Sequence, residues 1–492
     1  MTTHSNLWHG RYDTLFIGGR WVEPTSDSTI EVISPATEHL VARVPAGVEA
    51  DIDAAVGAAR AAFDSGPWPR MSLAERIAVL RALSTELAAH EAQIAQLVTA
   101  QMGCPITLST KMQAIGPRLL LDSFLDLAPE YPWSTTRRSA TGNAQVTRGP
   151  VGVVAAIIPW DAPLLVTVIK AAPALLAGCT VVVKPSPETP LDGYLLAELL
   201  DKVGLPAGVV NIVQAQRDAS EYLVRHPGVD VVSYTGSTEV GRRIGALCGQ
   251  DLRRCLLELG GKSAAVLLAD ADLDKAVAAI RALSLRNSGQ VCSNKTRIVV
   301  ARSLRDELHE RLIDMVASMP VGDPFDPATE IGPMATAAHR ARVESYIAAG
   351  KEAGAPLLVG GGRPEVLDRG WFVEPTVFTD VDPNAKIAQE EIFGPVLTVH
   401  TFDTENEAID IANNSEFGLN GSVFSADIDR ALAVARRIHT GAVEVDGNLV
   451  GFAAPIGGVK NSGIGREAGL EGFDAYVELK SYGLPADMVA RL

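Results

Sequence analysis

Two hydrophobic rhythms alternate along the chain. Short apolar runs at residues 151–158, 180–183, 209–213, 229–233 and 255–257 read as strands buried on both faces. Between them, at 164–176, 191–203 and 238–247, apolar positions recur with the period of a helix. Repeated strand–helix–strand units predict a parallel sheet with helices on both sides. Ligands of such sheets bind outside the carboxyl ends of the strands. Pro159-Trp160, Lys184-Pro185 and Thr235-Gly236-Ser237 each end a strand, so all three are expected in one crevice.

The same rhythm resumes after Gly261, with strands at 265–268, 297–300, 396–402 and 421–424 and a helix at 272–286. Residues 15–22 read as a hairpin about Gly18-Gly19. An alanine-rich helix at 51–63 stops at Ser65-Gly66-Pro67. Ser72-Leu73-Ala74-Glu75 is a capping box opening a helix that runs towards Gln101 and stops before Gly103 and Pro105. Residues 131–144 are turn-rich and polar and read, on composition, as a loop. A glycine-rich return at 455–467 and a last short strand at 476–482 close the chain. The fold class is α/β, with two doubly wound parallel-sheet domains.

Composition narrows the function classes. At about 150 residues per domain, 492 residues suggest roughly three domains. A net charge of −16 argues against a nucleic-acid partner and gives no support for an anionic membrane surface. The most apolar region, 151–183, is interrupted by Asp161, Lys170 and three prolines, so it reads as core and not as a membrane span. Residues 1–10 hold no apolar stretch of the secretion-signal type. Five cysteines without a C-x-x-C fit a reducing cytoplasm, and nine scattered histidines give no reason to expect a metal.

Chemistry gathers at two words, Glu258-Leu259-Gly260-Gly261-Lys262 and Asn287-Ser288-Gly289-Gln290-Val291-Cys292. A thiol on a polar glycine loop is a candidate nucleophile, and a carboxylate in reach is a candidate base for activating water. Taken singly, Cys292 is better explained as a small buried hydrophobe and Glu258 as a surface charge. Gly236-Ser237-Thr238-Glu239-Val240-Gly241 follows a strand and opens a helix, whose free amides suit a pyrophosphate; a plain helix cap explains it as well. There is no G-x-G-x-x-G fingerprint.

Together, the two words resemble the aldehyde dehydrogenase superfamily, and the resemblance covers nearly the whole chain. It implies a Rossmann-like cofactor domain in two parts (1–127 and 148–258), an oligomerisation arm beginning at 128–147, a catalytic domain at 259–458, and a return with an oligomerisation strand at 459–492. It implies a homodimer or homotetramer joined by the arm and the last strand. It also implies Cys292 as nucleophile and Glu258 as the residue that activates water for thioester hydrolysis. NAD would be held by Ile157, Pro159, Trp160, Lys184, Gly236, Ser237, Thr238, Gly241, Leu259, Gly260, Glu391 and Phe393. Many NAD-preferring relatives carry a glutamate three residues after the lysine; here Pro187 stands there and Glu188 follows, so NAD is expected with measurable use of NADP.

Lys170 and Glu467 match family residues near the centre and serve either as a proton relay or as a structural ion pair. Ala162, Val166, Ile169, Val291 and Ser293 suggest a roomy apolar mouth for a medium or large hydrophobic aldehyde, unless the loop at 448–452 sets specificity. The family's Pro-Trp-Asn is here Pro159-Trp160-Asp161. An ionised carboxylate cannot donate to an oxyanion, and losing such a donor costs about 2.7–4 kcal/mol. Asp161 is then protonated and still donates, which is the favoured expectation; or another donor replaces it; or the protein is slow or non-catalytic. An acylating enzyme that uses coenzyme A is disfavoured by Glu258, which such relatives generally lack.

Overall fold

The computed structural model describes residues 12–489; the expectation for residues 1–10 lies outside them. Five parallel strands form the centre of an eight-stranded sheet, in the spatial order Val210–Ile212, Thr180–Lys184, Val153–Ile157, Val231–Thr235, Arg254–Glu258. The chain starts in the middle, works outward, then returns to build the other side, so the strand order reverses between Val153–Ile157 and Val231–Thr235. That reversal splays the two following loops apart and opens a crevice at the carboxyl edge. The hairpin Leu15–Ile17 and Arg20–Val22 turns at Gly18 and Gly19, at φ +64° and +72°, and pairs antiparallel to Val210–Ile212.

Every residue of Val153–Ile157 is buried. Val154 and Ala156 pack into one core, and Val153, Ala155 and Ile157 into another on the opposite face. This is why the strand reads as an unbroken apolar run. The second sheet has seven strands, parallel except at the edge strand Leu357–Val359, with Ala264–Leu267 and Arg297–Ala301 near its centre. Ala265 and Leu267 face one core, Ala264 and Val266 the other.

Three elements differ from expectation. The stretch at 131–144, a loop on composition though strand-forming by the resemblance, largely enters a three-stranded antiparallel sheet of Ser134–Ser139, Gly142–Pro150 and Val477–Leu484. Its side chains are mostly exposed on both faces, so no alternation marks it, and the third strand of its sheet lies at the far end of the chain. The helix opened by Ser72 breaks at His90 into Leu73–Ala89 and Glu91–Met102. The His90 ring bonds the Glu86 carbonyl at 2.7 Å, where its own amide would have bonded, and that amide turns to the Leu87 carbonyl. The helix expected at 272–286 is Leu273–Leu283, capped by the Asp272 carboxylate. No helix among the described residues is long and apolar enough to cross a membrane.

Candidate active site

The carboxyl edge of the first sheet and the amino edge of the second face each other. From Glu258, at the end of its strand, Leu259 and Gly260 lead directly to Ala264–Leu267 of the second sheet. Ser462 ties this junction, accepting from the Gly418 amide at 2.9 Å and donating to the Gly260 carbonyl at 2.7 Å.

A cleft of about 450 Å³ opens at the strand-order reversal. Ile157, Pro159, Trp160, Lys184, Gly236 and Ser237 line it, so the three strand ends do share one crevice. Ser237 caps the helix Thr238–Gln250, its side chain accepting from the Val240 amide. Thr238 donates to the Asn461 carbonyl at 3.2 Å. A Cβ on Gly241 would stand 2.4 Å from Leu259, so only glycine lets this helix lie against the Glu258–Leu259 turn. Burial pushes Lys184 down to about 8, against the opposing charge of Glu188, whose carboxylate accepts from Ser186.

Glu391 accepts from the Gly261 amide at 3.0 Å, and burial pushes it up to about 7. A Cβ on Gly260 would meet the Glu391 carboxylate at 2.2 Å. The rings of Trp160 and Phe393 meet edge to face at 5.3 Å, and His339 packs against both. The His339 ring donates to the Phe393 carbonyl at 2.6 Å, holding Phe393 at φ +63°. Phe393 thus meets Trp160, Gly260 lies against Glu391, and Leu259 packs beside Gly241 in the first sheet's core.

Cys292 follows a loop whose backbone is left-handed at Asn287, Ser288 and Gly289, with φ +53°, +57° and +78°. Side chains from the same motif over-determine it. Ser288 exchanges two hydrogen bonds with Gly332, donating to its carbonyl at 3.0 Å and accepting from its amide at 2.8 Å. Gln290 donates to the Asn287 and Pro333 carbonyls and accepts from the Ala335 amide. Asn287 donates to the Gln290 carbonyl at 3.1 Å and to the Asp161 carbonyl at 3.4 Å. Cys292 itself keeps part of its surface accessible, whereas Cys104, Cys179 and Cys248 are buried.

Burial pushes the Cys292 thiol well above its ordinary value; Asp161, Glu391 and Glu258 push the same way, and Arg286 opposes them. Glu258 also lies well above the carboxylate range, chiefly through burial and then through Glu467, with Lys170 and Arg466 opposing. Its Oε1 is buried without a hydrogen-bond partner. Lys170, fully buried, donates to Glu467 at 2.7 Å and to Ser233 at 3.2 Å. Asp161 is buried and pushed up to about 6 by desolvation, while the amides of Asp161 and Ala162 support its charged form. Burial thus moves Asp161 towards the protonated, donating form, the direction expected from the sequence.

The residues expected at the mouth lie around the first turns of Pro163–Ala177 and beside the thiol. Ala162, Ile169 and Val291 are buried; Val166 and Ser293 are partly exposed. The Ser293 hydroxyl accepts from Arg286 at 3.0 Å, which brings a cation to that wall. Sequence reasoning missed Arg286, His339 and Gln113, whose side chain holds the Asp161 carbonyl at 2.9 Å. Arg286 directly precedes the cysteine motif, so its position was visible; Gln113 and His339 come from distant segments and carried no signal.

A model of the aldehyde dehydrogenase family matches residues 21–482. The geranial dehydrogenase of Castellaniella defragrans is 46% identical over 468 residues, covering 95% of this chain and 98% of that protein. An aldehyde dehydrogenase from Mycobacterium tuberculosis solved with NAD+ has 46% identity and a TM-score of 0.95, covering 96% of this chain and 98% of that one. Another from Pseudomonas syringae, solved with NAD+ and octanal, has 38% identity and a TM-score of 0.94 over 97% and 98%.

Proposed function

The chain belongs to the aldehyde dehydrogenase family, an NAD-dependent oxidoreductase, and we propose that it oxidises a medium or large hydrophobic aldehyde to the acid through a thioester on Cys292. One observation carries this reading. Cys292, a half-buried residue on a rigid loop, lies within electrostatic reach of Glu258, whose Oε1 has no hydrogen-bond partner.

As thiolate, Cys292 adds to the carbonyl carbon and gives a thiohemiacetal. When bound, NAD+ would supply the acceptor for the hydride that leaves that carbon. The acyl group remains on sulfur as a thioester. Glu258 takes a proton from water, the water oxygen adds to the thioester carbon, and the carbon–sulfur bond breaks to return the thiolate. Two modest steps replace one difficult step. Lys170 and Glu467 offer Glu258 a neighbouring route for its proton.

The cleft residues fit the cofactor. Lys184 would hold the adenosine ribose beside Ile157, Pro159 and Trp160. Gly236, Ser237, Thr238 and Gly241 would take the pyrophosphate at the helix start. Leu259, Gly260, Glu391 and Phe393 would flank the nicotinamide end. With Pro187 in place of a ribose-binding carboxylate, NADP is a measurable second cofactor.

Two relatives support a hydrophobic substrate: one is named for geranial and one was solved with octanal. Ala162, Val166, Ile169 and Val291 are the apolar contacts proposed for it, with Ser293 at the polar side. The proposed domains are those read from the sequence, with a cytoplasmic location. The sheet of Ser134–Ser139, Gly142–Pro150 and Val477–Leu484 is the proposed arm of a homodimer or homotetramer, supported by exposed Leu479 and Tyr482 on its outer strand. NADH absorbance with an aldehyde series, with and without coenzyme A, tests this reading. Octanal should exceed acetaldehyde and betaine aldehyde in kcat/KM without needing coenzyme A; the reverse order would contradict the substrate class.

A further inference from the structure

We propose that Ser233, itself held by Tyr476, is a positioning residue that keeps the Lys170 ammonium on the sheet face carrying Glu258, and so sets how readily Glu258 takes a proton from water. This rests on Glu258 being the base, as proposed above.

Strand alternation brings the groups together. In Val231–Thr235, Val232 and Tyr234 turn to one core and Val231 to the other, so Ser233 shares the face of Val231. It lies opposite Leu256 of the neighbouring strand, which packs into that same core. Glu258, two residues beyond Leu256, is therefore on the face of Ser233. The helix Pro163–Ala177 covers this face with Val168, Ile169 and Ala171, and Tyr476 packs into the same core. The return segment closes the group. Gly463 pairs with Glu258, and Ile456 exchanges two backbone hydrogen bonds with Glu467. A Cβ on Gly457 would stand 2.6 Å from Glu258 Oε1, so the segment that carries Glu467 lies against the Glu258 carboxylate.

Hydrogen bonds join four of these residues in a row. Lys170, wholly buried, donates to Glu467 at 2.7 Å and to Ser233 Oγ at 3.2 Å. Tyr476 Oη donates to the same Ser233 oxygen at 3.1 Å. Ser233 and Tyr476 are wholly buried too. An ammonium taken out of water must give its protons to acceptors, and Ser233 supplies one beside the Glu467 carboxylate. The Tyr476 bond fixes how the Ser233 oxygen is turned.

The titratable groups gathered here are Glu258, Glu467, Arg466, Tyr476 and Cys179. Arg466 is held by the Gly458 and Gly465 carbonyls at 2.9 and 2.6 Å. Burial pushes Cys179 up to about 12 and Tyr476 well above its ordinary value, so both keep their protons. Lys170 is thus the cation whose place depends on Ser233. Its charge opposes the burial and the Glu467 carboxylate that push Glu258 up. With the Ser233 acceptor gone, the ammonium is held at Glu467 alone, and Glu258 keeps its proton to a higher pH.

The test is a pH series of single turnovers, with enzyme in excess over octanal and NAD+ saturating. NADH absorbance reports acyl formation, and octanoate in quenched samples reports acyl hydrolysis. Ser233→Ala should move the acidic limb of octanoate release up by about half to one pH unit, slowing release about three- to tenfold on that limb, and leave the limb of NADH formation in place. Tyr476→Phe should move it the same way by less, and Ser233→Thr should restore it. An unmoved limb in Ser233→Ala, or equal shifts in both steps, would overturn the proposal. Wild type that forms NADH without octanoate would instead sink the role of Glu258, and urea unfolding at pH 7 then judges the contact separately. Ser233→Ala should cost at most about half as much in a Lys170→Met background as in wild type; equal costs overturn the proposal. Should Ser233→Ala not fold, Tyr476→Phe carries both measurements under the same criteria.

Discussion

The cleft at the carboxyl edge of the first sheet and the loop bearing Cys292 meet at Asp161, whose carbonyl accepts from Asn287, yet opposite means build them. The edge is made by backbone. Strand order opens the cleft, a helix start presents amides, and Gly241 allows a close approach. The loop is made by side chains acting against backbone preference. Asn287 and Ser288 sit in the left-handed region, at about 1–2 kcal/mol each, and bonds to Gly332, Pro333 and Ala335 hold them there. It also gathers Cys292, Asp161, Glu258, Glu391 and Arg286, whose burial shifts each in the direction that disfavours charge. The lesson is that binding can follow from topology, whereas reactivity needs groups placed at an energetic cost.

If the two regions are separable in this way, lesions should separate too. The largest effect is expected from Cys292→Ala. Steady-state oxidation should fall by more than about a thousandfold while the calorimetric Kd for NAD+ stays within about twofold. Parallel loss of NAD+ binding would break the distinction. Lys184→Met should do the converse, raising KM for NAD+ by about ten- to a hundredfold with kcat little changed.

A smaller effect sharpens the cost of the reactive region. Asp161 titrates near 6 in the folded chain against an ordinary value of 3.8, so the folded state favours its protonated form. The stability it gives below about pH 4 is lost as pH rises through about 6. Asp161→Asn should therefore match wild type in thermal melting at pH 4 and exceed it above pH 7, by about 1–3 kcal/mol. An equal difference at both pH values would mean that burial of the charge is not the cause.

Both halves of the α/β fold were legible because strands covered on two faces leave apolar runs, as Val153–Ile157 and Ala264–Leu267 do. The crevice was legible because three strand ends carry Pro159-Trp160, Lys184 and Gly236-Ser237. The three-stranded sheet was not legible from composition, since Ser134–Ser139 gains its sheet through Gly142–Pro150, which pairs with residues 477–484. Nor was the break at His90, which no glycine or proline announces. Asp161 stood out only against the family pattern, and what faces it depends on a loop conformation that local sequence preferences disfavour.

The central claim, an acyl group carried on Cys292 and released by Glu258, is tested most directly by intact-protein mass spectrometry of Glu258→Gln mixed with NAD+ and octanal. The account predicts one octanoyl group per chain, on the peptide containing Cys292, with NADH formed in equal amount and slow turnover thereafter. NADH formed with no acyl group on that peptide, or the acyl group on another cysteine, would contradict it.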